Sequence, residues 1–267
     1  MLNPRKAVVI NSKGGVGKTT TTVCVAAAAA SSGQRVLVAD LDPQANATEW
    51  LTGKKTDQIY SGAMFDLLTN PEKADLSKCI LPASDKWPNT FVIPSNAELT
   101  TAIPILSSRV GFEKVLASQL ARVEQNFGLI MMDTGPQLTP LHQLAIRAAD
   151  TVIIPSDTSK LSESGVEKVL EILDLFKHER NFTIENIHII LTAQTKEHAK
   201  SNIFAKETLE RNYSDYFLPF RIPHTVKVND SQREDPPVPP INLVKEDHSL
   251  HVGYHQLTET IIEGRAQ

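Results

Sequence analysis

Seven short apolar runs punctuate the chain: KAVVIN (6–11), RVLVADL (35–41), TFVIP (90–94), LIMMD (129–133), TVIIP (151–155), IHIILTA (187–193) and LPFRIP (218–223). Runs this continuous predict strands buried on both faces, as in a parallel sheet. Between them lie stretches whose apolar residues recur every three or four positions, which predicts helices. The first runs from about Lys18 to Ser32, carries five alanines at 26–30 and stops at Gly33. Others are predicted over GFEKVLASQLARVEQNF (111–127), SESGVEKVLEILDLFKHE (162–179) and EHAKSNIFAKETLERN (197–212), with a last one around Gly253 to Glu263. Alternating strands and helices predict the α/β class: a doubly wound, mostly parallel sheet with helices on both faces. Irregular loops are expected near 52–60, 82–90 and 229–247, the last containing the polar, proline-rich stretch Ser231 to Pro240 (SQREDPPVPP). No linker divides the chain, so residues 1–267 are expected to form one domain.

Composition supports a soluble globular protein, because 267 residues with 41% hydrophobic and 22% charged side chains can bury a sizeable core. The apolar run near the start is too short for a signal peptide, and no run approaches the roughly 18 residues of a membrane span, so a cytoplasmic location is expected. The two cysteines, Cys24 and Cys79, fall in predicted helix and strand interior with no Cys or His nearby, which argues against a disulfide framework or thiolate metal site. A net charge of −4 argues against nucleic-acid binding through overall charge and leaves room for a local basic patch.

The candidate chemistry begins where the first strand meets the first helix, in NSKGGVGKTTTT (11–22). Gly14, Gly15 and Gly17 let backbone N–H groups approach phosphate oxygens, and a helix N-terminus adds a favourable dipole. Lys18 then reaches the β- and γ-phosphates and the Thr19 hydroxyl is placed to ligate Mg²⁺, which makes Gly14, Gly15, Val16, Gly17, Lys18, Thr19 and Thr20 the nucleotide-binding set. A bare tight turn before a helix is the alternative. Acids close the next strands. Asp40 and Asp42 lie two apart and so face the same way, and Pro43 ends their strand at its carboxyl edge, where ligands sit in such sheets. Asp40 reads equally as a strand-end residue bonded to nearby backbone. Asp133 ends a strand of four apolar residues, the setting of an acid that holds Mg²⁺, commonly through water. Thr134 follows it rather than glutamate, so Asp42 is the candidate for orienting the attacking water and a further candidate metal group.

KGGVGKTT (13–20), DLDPQANAT (40–48) and the apolar strand into Asp133 together resemble the deviant Walker A ATPases of the ParA/Soj partition type, with MinD as a cousin. The resemblance continues more loosely through ADTVIIPSD (149–157) and FRIPHTVKVND (220–230), covering about Lys6 to Glu263. It implies a P-loop ATPase that uses ATP and Mg²⁺, in which Lys13 crosses a homodimer interface to the phosphates of the partner's ATP and joins Lys18 and Asp42 as a catalytic group. It further implies non-specific DNA binding by the ATP dimer, association with the nucleoid in that state, and a ParB-like partner that stimulates hydrolysis in plasmid or chromosome partition. Lys196, Lys200, Lys206, Arg221, Lys227 and Arg233 are the candidate DNA contacts, and each alone also reads as a solvated surface charge. Three positions depart from the family pattern: His224 and Lys227 stand where arginines are usual, and Gly135 where proline is. The P-loop begins about ten residues into the chain, so no N-terminal helix-turn-helix extension is expected. The tail LTETIIEGRAQ is not basic and amphipathic, which argues against a membrane role.

Other readings stay open at this level. The cargo could be a protein assembly, and a metabolic ATP-dependent amidoligase on the same fold is a rival of another class. His248, His251 and His255 have the spacing of one helical face, as metal ligands or as a solvated helix start. DPPVPP (235–240) reads as a rigid loop or a polyproline II docking strip.

Overall fold

The computed structural model describes residues 4–56, 63–177, 182–192, 200–223 and 225–264, with side chains except at 160, 161, 177 and 200–205. The strands are β1 (Arg5–Val9), β2 (Val36–Leu41), β3 (Leu81–Pro82), β4 (Thr90–Ile93), β5 (Leu129–Thr134), β6 (Thr151–Ser156), β7 (Asn186–Thr192) and β8 (Phe217–Ile222). They form an eight-stranded sheet in the order β3-β4-β2-β5-β1-β6-β7-β8. Every pairing is parallel except β3 with β4.

The helices are α1 (Lys18–Ser31), α2 (Asn46–Thr52), α3 (Ala63–Thr69), α4 (Leu76–Cys79), α5 (Leu99–Ser107), α6 (Val115–Ala121), α7 (Pro140–Ala148), α8 (Lys160–Lys177), α9 (Lys200–Asn212), α10 (Lys227–Arg233) and α11 (Ser249–Glu263). Successive strand residues point to opposite faces, and two cores result. Val8, Leu37, Ala39, Ile130, Met132 and Ile154 pack with α3 and α5 to α8. Ala7, Val36, Val38, Leu129, Met131 and Ile153 pack with α1, α2 and α11. β2 and β5 are buried along their whole length, so their sequences carry no polar alternation. The alanines of α1 are buried as well, and their small side chains let the helix lie close to the sheet and to α11.

All seven predicted strands are present, and the two-residue edge strand β3 was invisible because two residues carry no periodicity. The helix expected over 111–127 is shorter: only Val115–Ala121 is α-helical, between 3₁₀ turns at Phe112–Lys114 and Glu124–Asn126. Cys79 closes the short helix α4 rather than a strand, and both cysteines are buried and unpaired with each other. The last helix starts at Ser249, four residues ahead of the expected Gly253, because His248 Nδ1 accepts the Leu250 N–H at 3.1 Å and caps it. The proline-rich stretch is docked within the molecule: Trp87 Nε1 donates to Pro237 O at 2.9 Å and Trp50 Nε1 to Val238 O at 3.3 Å. No helix among the described residues is long and apolar enough to cross a membrane.

Candidate functional site

Because β2, β5, β1 and β6 are adjacent and parallel, their carboxyl ends open on one edge, and the candidate residues gather there. β1 leads into a loop in which Gly15 (φ +77°) and Gly17 (φ +86°) take left-handed conformations closed to most side chains. Gly17 begins α1, whose first turn carries Lys18, Thr19 and Thr20. The Lys18 ammonium curls back over the loop and donates to the Lys13 carbonyl at 2.9 Å. Its pKa is lowered by burial, against the opposing pull of Asp133 and Asp42.

Asp133 sits at the centre. Its Oδ2 accepts from Thr19 Oγ1 at 2.8 Å and its Oδ1 from Thr22 Oγ1 at 2.9 Å. Asp40 is its register partner on β2. Burial raises both carboxyls, Asp133 to about 7 and Asp40 to about 8, with the Asp133 charge adding to the effect at Asp40. Asp40 accepts from the N–H groups of Asp42 and Thr48 and from Thr48 Oγ1, at 3.0, 2.9 and 2.6 Å. It braces the turn that leads from β2 into α2. Asp42 is 6% exposed, and its Oδ1 accepts the Gln44 N–H at 3.0 Å. A hydroxyl beside a carboxylate is a donor set suited to Mg²⁺, which binds through one or two protein oxygens plus phosphate and water. Thr19 and Asp133 would hold it, and the ion would supply neutralising charge to the phosphates.

Lys13 has partners of its own, distinct from those of Lys18. Its ammonium forms an ion pair with Asp157, just past β6, and donates to Ser159 Oγ at 2.8 Å. Burial works to raise the Asp157 carboxyl, but its hydrogen bonds to Lys13 and Ser159 win and hold it below the usual range. Gly15, Val16, Gly17, Thr20 and Asp157 line one side of a cavity of about 360 Å³, faced by Thr192, Pro223, Thr225, Asn229 and Tyr254. This is room for a nucleoside beside a phosphate loop.

Sequence reasoning missed Thr22, Asp157, Thr192 and His142. Thr192 Oγ1 donates to Val16 O at 3.0 Å and ties β7 to the loop. His142, 3% exposed on α7, lies behind the segment that follows β5. Only the abundance of polar residues within apolar surroundings hinted at them.

The candidate DNA contacts are scattered over α9, β8 and α10. Lys206 pairs with Glu210 and Lys227 with Asp230, each at 3.3 Å on an exposed helix face. Arg221 and Arg233 are exposed, Lys200 lies in α9, and Lys196 and His224 lie outside the described residues. His251 and His255 stack at 4.2 Å between ring centres. No group of three His, Cys, Asp or Glu among the described residues is arranged to hold a metal.

Two buried imidazoles and two buried carboxyls set the pH dependence of the fold. Burial lowers the pKa of His142 and of His188 on β7 to about 4, so both are neutral in the fold and charge more readily in the unfolded chain. The contribution of the two rings is full above the unfolded value of about 6.5 and lost as pH falls towards 4, on the order of 3 kcal/mol per ring. The raised Asp40 and Asp133 act oppositely: their contribution is full below the unfolded carboxylate value of about 4 and is lost progressively as pH rises to about 7 to 8. Between about pH 4 and 6.5 the two pairs offset one another, so the thermal midpoint of the nucleotide-free protein is expected to change little there and to fall from about pH 6.5 to 8. A scan by calorimetry checks this, and replacing His188 with a non-titrating residue should make the midpoint fall with rising pH already below about 6.5.

A family model described as an AAA domain matches residues 5–186. The chain is 30% identical over 232 residues to the sporulation initiation inhibitor protein Soj of Bacillus subtilis, covering 86% of this chain and 88% of Soj. It is 29% identical over 239 residues to the cell division protein PomZ of Myxococcus xanthus, covering 89% of this chain and 72% of PomZ. Among solved structures, an ATP complex of a McdA variant from Cyanothece matches with a TM-score of 0.83 at 21% identity, over 100% of this chain and 99% of that one. Cobyrinic acid a,c-diamide synthase from Mycobacterium smegmatis, with bound ADP and magnesium, matches at 0.78 and 24% over 99% and 98%, and these two show the shared fold. With a glycine-rich loop, two lysines at its mouth and strand-end acids in register, the chain belongs to the ParA/Soj type of the MinD/ParA superfamily and is a P-loop ATPase.

Proposed function

We propose that this chain is a nucleotide-gated switch: two copies close face to face on two molecules of ATP with Mg²⁺, bind DNA without sequence preference, and separate when a ParB-like partner stimulates hydrolysis. One such cycle serves plasmid or chromosome partition. The observation that supports this reading is the division between the two lysines. Lys18 folds over its own loop, whereas Lys13 is held on the other flank by Asp157 and Ser159. Lys18 meets the needs of its own subunit's phosphates, and Lys13 is the cation left to serve a neighbour's.

In this scheme Lys18 and the loop N–H groups bind the phosphates, Thr19 and Asp133 hold the metal, and Asp42 orients the attacking water. Lys13 exchanges the Asp157 carboxylate for phosphate oxygens of the partner's nucleotide, so removing the γ-phosphate weakens the bridge and frees the subunits. The metal would neutralise charge that the phosphates develop during transfer.

Steady-state hydrolysis, measured alone, with generic duplex DNA, and with DNA plus a ParB-like protein, tests the reading. Joint stimulation supports it, and turnover that depends on a small carboxylate overturns it. DNA binding is expected only with ATP, and log affinity should fall linearly with log salt by about 0.9 per phosphate neutralised. Binding that ignores salt or nucleotide would count against a role for the surface lysines and arginines.

A further inference from the structure

We propose that His142 is a positioning residue for hydrolysis, setting the segment after β5 so that it buttresses the Asp42 carboxylate. The inference rests on the reading of Asp42 as the group that orients water. His142 Nδ1 accepts the Thr139 N–H at 3.1 Å, which puts the ring proton on Nε2, and Nε2 donates to the Gly135 carbonyl at 3.0 Å. One buried ring thus ties together both ends of the segment from Gly135 to Thr139. The same Gly135 abuts Asp42. A Cβ built on it would stand 3.1 Å from Asp42 Oδ1 and 3.3 Å from Cγ, closer than ordinary packing allows. Asp42 is therefore held between the Gln44 N–H on one side and the bare Gly135 backbone on the other.

Within this segment Leu138 packs against the core, while the rest is exposed to a groove. Asp42, Gln44, Thr100, Ile103, Gln137 and His142 border a groove of about 280 Å³ between α5 and the loop, so the loop is open on that flank. The hydrogen bonds of the ring fix its two ends, at Gly135 and Thr139. A carboxylate that orients water needs placement to well under 1 Å, and the glycine and the histidine act on that placement as one unit.

The test compares His142→Leu, His142→Gln, Gly135→Ala and the double variant Gly135→Ala/His142→Leu, with Asp42→Ala measured in parallel. Each is assayed for kcat, KM and equilibrium ATP affinity. His142→Leu removes the donor to Gly135 and is expected to lower kcat roughly tenfold with KM and ATP affinity little changed. His142→Gln restores a donor at the place of Nε2 and should recover part of the loss. Gly135→Ala should also lower kcat, and the double variant should be no worse than the poorer single, because both act on Asp42. If Asp42→Ala is inactive while His142→Leu and Gly135→Ala turn over normally, the proposal fails and the reading of Asp42 stands. Loss of kcat and ATP affinity in step, without recovery in His142→Gln, would reduce His142 to a structural residue and also overturn it. If Asp42→Ala turns over normally, the reading of Asp42 and the proposal fall together. Should the leucine variant not fold, Gly135→Ala and His142→Gln still decide the matter.

Discussion

Replacing Asp42 by alanine is expected to leave ATP binding nearly intact and to lower turnover on the order of a hundredfold or more. Binding should survive because the phosphate loop, Lys18 and the Thr19–Asp133 pair do not depend on Asp42 for their geometry: Lys18 is anchored on the Lys13 carbonyl and Thr19 on Asp133. Turnover should fall because Thr134, the residue after Asp133, offers no carboxylate and donates its hydroxyl to the Val9 carbonyl at 2.8 Å. Asp40, the other nearby acid, has both oxygens engaged by donors from Asp42 and Thr48, and so has no free oxygen to offer a water. Asp42 is the carboxylate left to orient water. Single-turnover hydrolysis alongside equilibrium nucleotide binding separates the two effects, and unchanged hydrolysis would remove Asp42 from the chemistry.

The second large effect is expected at Lys13. Lys13→Ala should retain ATP binding through Lys18 while weakening the ATP-dependent dimer by at least about thirtyfold, the scale of losing one side of a buried charge contact. A two-fold axis doubles the loss, since each subunit would give one lysine to the other. Sedimentation with a slowly hydrolysed ATP analogue reads this directly. The variant also leaves Asp157, whose side chain is 3% exposed, without that cation, at a cost of about 1 to 3 kcal/mol to the monomer. Lys13→Ala combined with Asp157→Asn is therefore the proper control. A dimer that persists in the double variant would show that Lys13 does not bridge subunits.

Much of the site was legible because its signals are local. Gly15 and Gly17 were readable because a loop that wraps phosphate requires left-handed backbone within a few residues of a strand and a helix. Asp42 and Asp133 were readable because each ends an apolar run, and strand ends on one edge of a parallel sheet are where such acids converge. Thr22 was not readable: its hydroxyl lies in α1, and only the approach of that helix to β5 brings it to Asp133, 111 positions away. The break in the helix expected over 111–127 was hidden for a similar reason, since its apolar period continues through turns that the backbone tightens to 3₁₀.

By itself, the sequence determined the strand set, the two-faced α/β class, the phosphate loop and the acids at the strand ends, since periodicity, glycine placement and strand-end position are properties of short segments. The tertiary structure alone decided which polar groups pair. Lys13 with Asp157, 144 positions apart, His142 with the Gly135 carbonyl beside Asp42, and Trp50 and Trp87 with a proline-rich strip 188 and 150 positions away all depend on which strands and helices become neighbours. A buried polar group must find a partner where the fold places it, and no short stretch of sequence states which partner that will be.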